Sequence, residues 1–190
     1  MVKIWRDEDD SKKAAVSLRR SLMLKKWLGA VAALVLAGFV FLFFVGGGGG
    51  TSRDGSFPAP NFTLPSLSGN NISLSQFRGK VVLLDFWATW CDACREEIPD
   101  LIRLYQDKHS KGLVVLGVSV DALGQSVVQP FVKDAQIPYP VAIAGDHVPA
   151  GYDISGLPTA FLIDKNGIVR HEYIGAVSYE DVVKDINALL

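Results

Sequence analysis

Cysteine is almost absent from this chain: two of 190 residues, Cys91 and Cys94. That excludes the dense disulfide framework of small secreted scaffolds. Histidine is nearly as rare. His109, His147 and His171 are scattered, so the four ligands of a structural metal site cannot be assembled at any usual spacing. Basic excess is missing too: net charge is −1, and no basic stripe argues for nucleic acid. No repeat appears at solenoid periods. Charge itself is missing from one stretch. Leu28–Val45 reads LGAVAALVLAGFVFLFFV, 18 residues without an ionisable group.

As a helix that stretch would be about 27 Å long, close to the ~30 Å of a bilayer core. It predicts a transmembrane anchor over 28–45, with Trp27 at the interface. A cleaved export signal is the alternative. Against it stand the 27 preceding residues and an apolar run longer than the ~7–15 of a signal peptide. Arg19, Arg20, Lys25 and Lys26 precede the run, and no basic residue follows until Arg53. The amino terminus is then expected in the cytoplasm and the rest outside it. Residues 1–27 carry eight Lys/Arg against four Asp/Glu; residues 51–190 carry eleven against sixteen. The expected organisation is a cytoplasmic tail (1–27), the anchor (28–45), a flexible glycine-rich linker (46–57) and one globular domain (58–190).

Within that domain the pattern alternates. KVVLLDFWA (80–88) and LVVLGVSVD (113–121) read as strands buried on both faces. Residues 94–109 read as a helix, with Ile98, Leu101, Ile102 and Tyr105 on its apolar face. A weaker helix is expected over 124–136. TAFLID (159–164), a DKNG turn and IVRHEYIG (168–175) predict an antiparallel pair. A last helix, 178–190, would be capped by Ser178 with Asp181. This is an α/β sandwich around a mixed sheet.

WATWCDACREEIP (87–99) holds both cysteines. As a staple, the four-residue loop they close would contribute only about 2 kcal/mol, against roughly 3 for fifteen residues. Haem attachment needs histidine after the second cysteine, and residue 95 is arginine. A redox centre remains. Cys91 would stand where a strand hands over to a helix, and backbone N–H groups there stabilise a thiolate. Cys94, one turn on, would be the more buried. Asp85 interrupts an apolar strand; a buried carboxyl there should hold its proton towards neutrality. Glu97 stands one turn after Cys94, and Glu96 is expected to be solvated.

These residues resemble the thioredoxin superfamily, in particular its membrane-anchored TlpA/ResA-like branch. The likeness runs from about Phe57 to Leu190 and rests on PAPNFTL (58–64), GKVVLLDFWATWC (79–91), Pro99 and GLPTAFLID (156–164). It implies a thioredoxin-like three-layer sandwich preceded by one transmembrane helix. It implies that Cys91 and Cys94 form the redox-active disulfide, and that Asp85 or Glu97 takes the proton of Cys94. It also implies that Pro158 is a cis-proline lining a substrate groove with Trp90 and Thr159. The expected activity is thiol–disulfide exchange without cofactor or metal. The expected partners are exported disulfide-containing proteins, cytochrome c precursors among the possible clients, and a membrane thiol reductase as electron donor. Asp-Ala between the cysteines departs from thioredoxin's Gly-Pro. Asp92 opposes a thiolate, which favours a reductant; Arg95 and the helix dipole oppose it. The alternatives are a general disulfide oxidant or isomerase, a peroxiredoxin-like peroxidase and a non-enzymatic binding module. The peroxidase motif fits poorly, since Thr89 is two residues before Cys91 rather than three.

Overall fold

The computed structural model describes residues 51–190. The expected tail (1–27), the apolar run (28–45) and the glycines 46–50 lie outside the described residues. Among the described residues no helix is long and apolar enough to cross a membrane.

The chain forms strands β1 (Thr51–Pro58), β2 (Thr63–Pro65) and β3 (Asn71–Ser73), then a 3-10 turn (Leu74–Phe77). Strand β4 (Val81–Trp87), helix α1 (Asp92–Lys108), strand β5 (Leu113–Ser119), helix α2 (Gln125–Asp134) and strand β6 (Val141–Ile143) follow. Strands β7 (Thr159–Ile163) and β8 (Ile168–Ile174) and helix α3 (Tyr179–Leu189) end it. One sheet has the order β1-β8-β7-β4-β5-β6, and β2 and β3 make a separate hairpin. β4, β5 and β6 run parallel; β7 lies antiparallel to β4, and β8 to β7. The expected mixed α/β sheet is present.

Every residue of β4 and β5 is buried, which explains their unbroken apolar runs. Alternation sorts them to two faces. Val81, Leu83 and Trp87 pack with Leu101 and Leu104 of α1, Val128 of α2, and Val182 and Ile186 of α3. Val82, Leu84 and Phe86 pack instead with Phe62, Leu74 and Tyr152. Chain other than α-helix therefore makes the layer on this second face: the hairpin region, the 3-10 turn and the segment before β7. Gly167 takes φ +76° in the turn joining β7 and β8, as the DKNG stretch requires. Ser178 caps α3 reciprocally with Asp181.

Three features, one in β1 and two in α1, differ from the sequence expectation. Residues 51–57 were expected to be coil, but β1 pairs there along β8, with Ser52 opposite Tyr173 and Phe57 opposite Val169. The outer edge of β8 offers unpaired backbone groups, and any extended neighbour can take them. The run of glycine stops at residue 50, so it does not oppose that pairing. The apolar face of α1 is also turned. Cys94, Glu97, Ile98, Leu101, Leu104 and Lys108 are buried, whereas Ile102 and Tyr105 are only partly so. Finally, α1 begins at Asp92, two residues earlier than expected, because Cys91 itself is the N-cap.

Candidate active site

The site is built at the carboxyl end of β4. Strand alternation turns Asp85 to the same face as Val81, Leu83 and Trp87, the face that α1 covers. Its neighbours in the sheet are Gly117 on β5 and Ala160 on β7, both small. That leaves room for a carboxyl, which is only 2% exposed. Past Trp87 the chain leaves the sheet and enters α1 through Cys91.

Cys91 and Cys94 are joined, with S–S 2.12 Å and Cα–Cα 5.3 Å. Cys91 has extended backbone angles, and its sulfur accepts the Cys94 N–H at 3.1 Å. The Arg95 N–H reaches the Cys91 carbonyl at 3.1 Å. The first sulfur is thus the capping acceptor of a helix amino terminus, where backbone donors and the dipole favour negative charge. Cys91 is 7% exposed and Cys94 0%. A partner can touch only the first.

Glu97 falls in the buried stripe of α1, whereas Glu96 is solvent-exposed. One Glu97 oxygen accepts the Val177 N–H at 2.9 Å. Burial pushes the Glu97 carboxyl up to about 10, the Asp85 charge adds to this, and the Val177 N–H opposes it. Burial likewise pushes Asp85 up to about 7, with its hydrogen bond to Glu97 acting the other way. As two carboxylates the groups cannot bond, since each would only accept. Asp85 Oδ1 and Glu97 Oε1 are then left without a partner. A proton on Glu97 turns it into a donor to Asp85 and resolves the conflict. The two groups titrate as a pair, with the first proton lost from the Asp85 side. Tyr139 is nearby: burial, then the charges of Asp85 and Glu97, raise its hydroxyl well above the ordinary value.

On the other flank, the Leu157–Pro158 peptide is cis, as the resemblance implies. Thr159 pairs with Phe86, so Pro158 stands at the same sheet end as Cys91. Thr159 was expected to contact substrate. It is fully buried, and its hydroxyl bonds the Gly156 carbonyl at 2.8 Å, so its side chain braces the loop instead. Trp90 is 67% exposed beside Cys91.

One residue escaped the sequence analysis. Asp121, 2% exposed, accepts from the Thr89 N–H at 3.0 Å, the Thr89 hydroxyl at 2.6 Å and the Ser119 hydroxyl at 2.9 Å. It clasps the turn that delivers Cys91. The only signal for it was an aspartate closing the apolar run 113–121. Among the described residues no cluster of three or more His, Cys, Asp or Glu has the arrangement of a metal site.

Residues 57–172 match the family model described as the AhpC/TSA family. Thioredoxin-like protein YneN of Bacillus subtilis is 30% identical over 169 residues, 87% of this chain and 99% of that protein. Thiol-disulfide oxidoreductase ResA of Bacillus cereus is 38% identical over 125 residues, 65% of this chain and 72% of that protein. A solved thiol:disulfide interchange protein of the thioredoxin family from Chlorobium tepidum superposes with a TM-score of 0.63 at 31% identity, covering 72% of this chain and 97% of that one.

Proposed function

The chain belongs to the AhpC/TSA family and is a thioredoxin-like thiol–disulfide oxidoreductase, and from that premise we propose that it works as a membrane-anchored reductant of disulfides in exported proteins. The observation that carries the exchange chemistry is the unequal burial of the Cys91–Cys94 pair, with the accessible sulfur at the helix N-cap.

In the cycle proposed, the reduced Cys91 thiolate attacks one sulfur of a partner disulfide. One partner thiol leaves and a mixed disulfide forms. Cys94 then loses its proton, attacks the Cys91 sulfur and releases the second partner thiol. The partner gains two electrons and two protons, and the pair ends as the bridge seen here. Asp85 is the group suited to take the Cys94 proton. Its carboxyl titrates near neutrality, whereas Glu97 holds its own proton well above that. Glu97 then acts through Asp85, as a positioning donor. A membrane thiol reductase would return the two electrons.

The direction of exchange is argued from charge. Thiolates next to carboxyls are destabilised, which makes the dithiol easier to oxidise. Glu97, which keeps its proton, adds no charge; Asp85, where ionised, and Asp92 act in that sense. Asp92 does so weakly, since its side chain is 94% exposed and Arg95 lies 3.9 Å away. Cytochrome c precursors, whose haem-binding cysteines must be reduced, are one client class consistent with this. A peroxidase role is disfavoured because the Thr89 hydroxyl is engaged by Asp121 rather than free to act at Cys91.

Equilibration of the full-length chain in glutathione buffers tests the direction. A potential well below about −200 mV is expected; a value near the ~−120 mV of a strong oxidant would assign it the oxidant role. A Cys94→Ser variant should accumulate the mixed disulfide, and mass spectrometry of the adduct names the client.

A further inference from the structure

β4 and β5 are parallel and in register, Trp87 opposite Ser119. Their following loops therefore emerge at one end of the sheet, the end that carries Cys91. Asp121 ties those loops together through Thr89. Just past it, the Gly124 N–H closes a turn onto the Asp121 carbonyl at 2.8 Å, and the Ser126 hydroxyl bonds the Leu123 carbonyl at 2.8 Å. Leu123 stands third in this braced turn. Such positions ordinarily carry Gly, Asn, Asp or Ser. Leu123 is instead 73% exposed, and Trp90 on the facing loop is 67% exposed. Among the described residues these are the two large apolar side chains most open to water. Trp90 adjoins Cys91, and Leu123 is two residues past the Asp121 that holds Thr89. No charged residue occurs from Ala122 to Val132. Charges do border this stretch, Asp92 and Arg95 at the start of α1, where the Arg95 guanidinium lies 6.0 Å from the centre of the Phe131 ring.

We propose that Leu123 and Trp90 form an apolar ridge that receives an uncharged, apolar side chain next to the partner's reacting cysteine, with Leu123 a specificity-determining residue. The proposal rests on the exchange role of Cys91. A partner sulfur must come into line with the Cys91 sulfur. At most ~3.6 Å of extended chain separates successive residues, so those within one to three positions of that cysteine lie over these two loops. An apolar side chain there removes its own surface and that of Leu123 from water. A charged one is desolvated against Leu123 and Trp90, neither of which carries a charge to pair with it. The bracing of the turn means that little ordering remains to be done on docking.

The test uses the reduced full-length chain and peptides whose single cysteine is held as a mixed disulfide with 2-mercaptoethanol. The flanking residues are Leu in one peptide and Ser in the other. Exchange oxidises the Cys91–Cys94 dithiol and frees the peptide thiol and 2-mercaptoethanol. Wild type should react roughly tenfold faster with the leucine peptide, a ratio within reach of partly burying one leucine side chain. Leu123→Ser should bring the ratio to near one, and Leu123→Met should keep it. Rates with bis(2-hydroxyethyl) disulfide, which has no flanking residues, should be the same in all three proteins. An unchanged peptide ratio in Leu123→Ser, or an equal loss with the small disulfide, overturns the ridge alone. Failure of wild type to exchange with any of these disulfides overturns the exchange role and the ridge with it.

Discussion

Asp85 and Glu97 place two acids in a space that suits neither as an anion. Both are held above their unfolded values, so the folded chain keeps protons that the unfolded chain has already released. Their contribution is whole below about pH 4 and is lost as pH rises through the folded values. For Asp85 that loss is complete above about 7; for Glu97 it continues to about 10. Glu97→Gln imitates the protonated acid and keeps an oxygen for the Val177 N–H. With the bridge intact no thiol titrates. Urea unfolding of the oxidised chain should then show wild type losing stability from pH 7 to 9 relative to Glu97→Gln, by more than about 1.4 kcal/mol, the equivalent of one pKa unit. Parallel curves would mean that Glu97 is ionised in the fold. Both members of this pair were legible in the sequence, though not their coupling. Asp85 announces itself by breaking an apolar strand. Glu97 is set apart from Glu96 by standing one turn after Cys94, but its bond to the Val177 N–H, 80 positions away, is not legible.

At the scale of elements, the junction of β4, α1 and β5 decides reactivity. The run 80–88 and the helix after it were legible because a strand buried on both faces and an amphipathic helix each leave a long pattern. β2, β3 and β6 have three residues each, too few for any period to show. The Asp121 clasp was illegible for another reason: Thr89 and Asp121 are 32 positions apart, and only the parallel register brings them together. That clasp is a buried carboxylate satisfied by three donors. Asp121→Asn replaces one acceptor oxygen with a donor facing other donors, and should cost about 1–3 kcal/mol in unfolding free energy. Thr89→Val keeps the backbone N–H contact and should cost less. Equal costs for the two variants would show that the Thr89 hydroxyl carries the clasp. Gly117 is constrained at the same junction. A methyl there would meet Trp87 Nε1 at 2.9 Å and Tyr139 Cε2 at 3.4 Å. Gly117→Ala should destabilise by about 1–3 kcal/mol through overpacking, read as a lower unfolding midpoint.

For the molecule as a whole, the reductant role proposed above calls for a compartment that supplies disulfides. A dithiol that reduces other proteins has work to do where disulfides form and persist, outside the reducing cytosol. The charge pattern agrees: a basic segment, an uncharged run of 18 residues, then an acidic domain. If that run is retained as an anchor, one tether fixes the reactive sulfur near the membrane and its reductase. The local concentration of the two partners then rises without any added contact. Three arrangements are separable in cells. An anchored chain stays with the membrane after alkaline carbonate washing, and its domain is cut by protease added to spheroplasts. A cleaved export signal would leave a shorter chain, lacking residues 1–45, in the soluble extracytoplasmic fraction. A chain kept in the cytoplasm would resist protease until the cells are broken, and Cys91 would meet no exported disulfide. We expect the first outcome. Either of the others would remove the tether from the proposal, and the last would remove its clients as well.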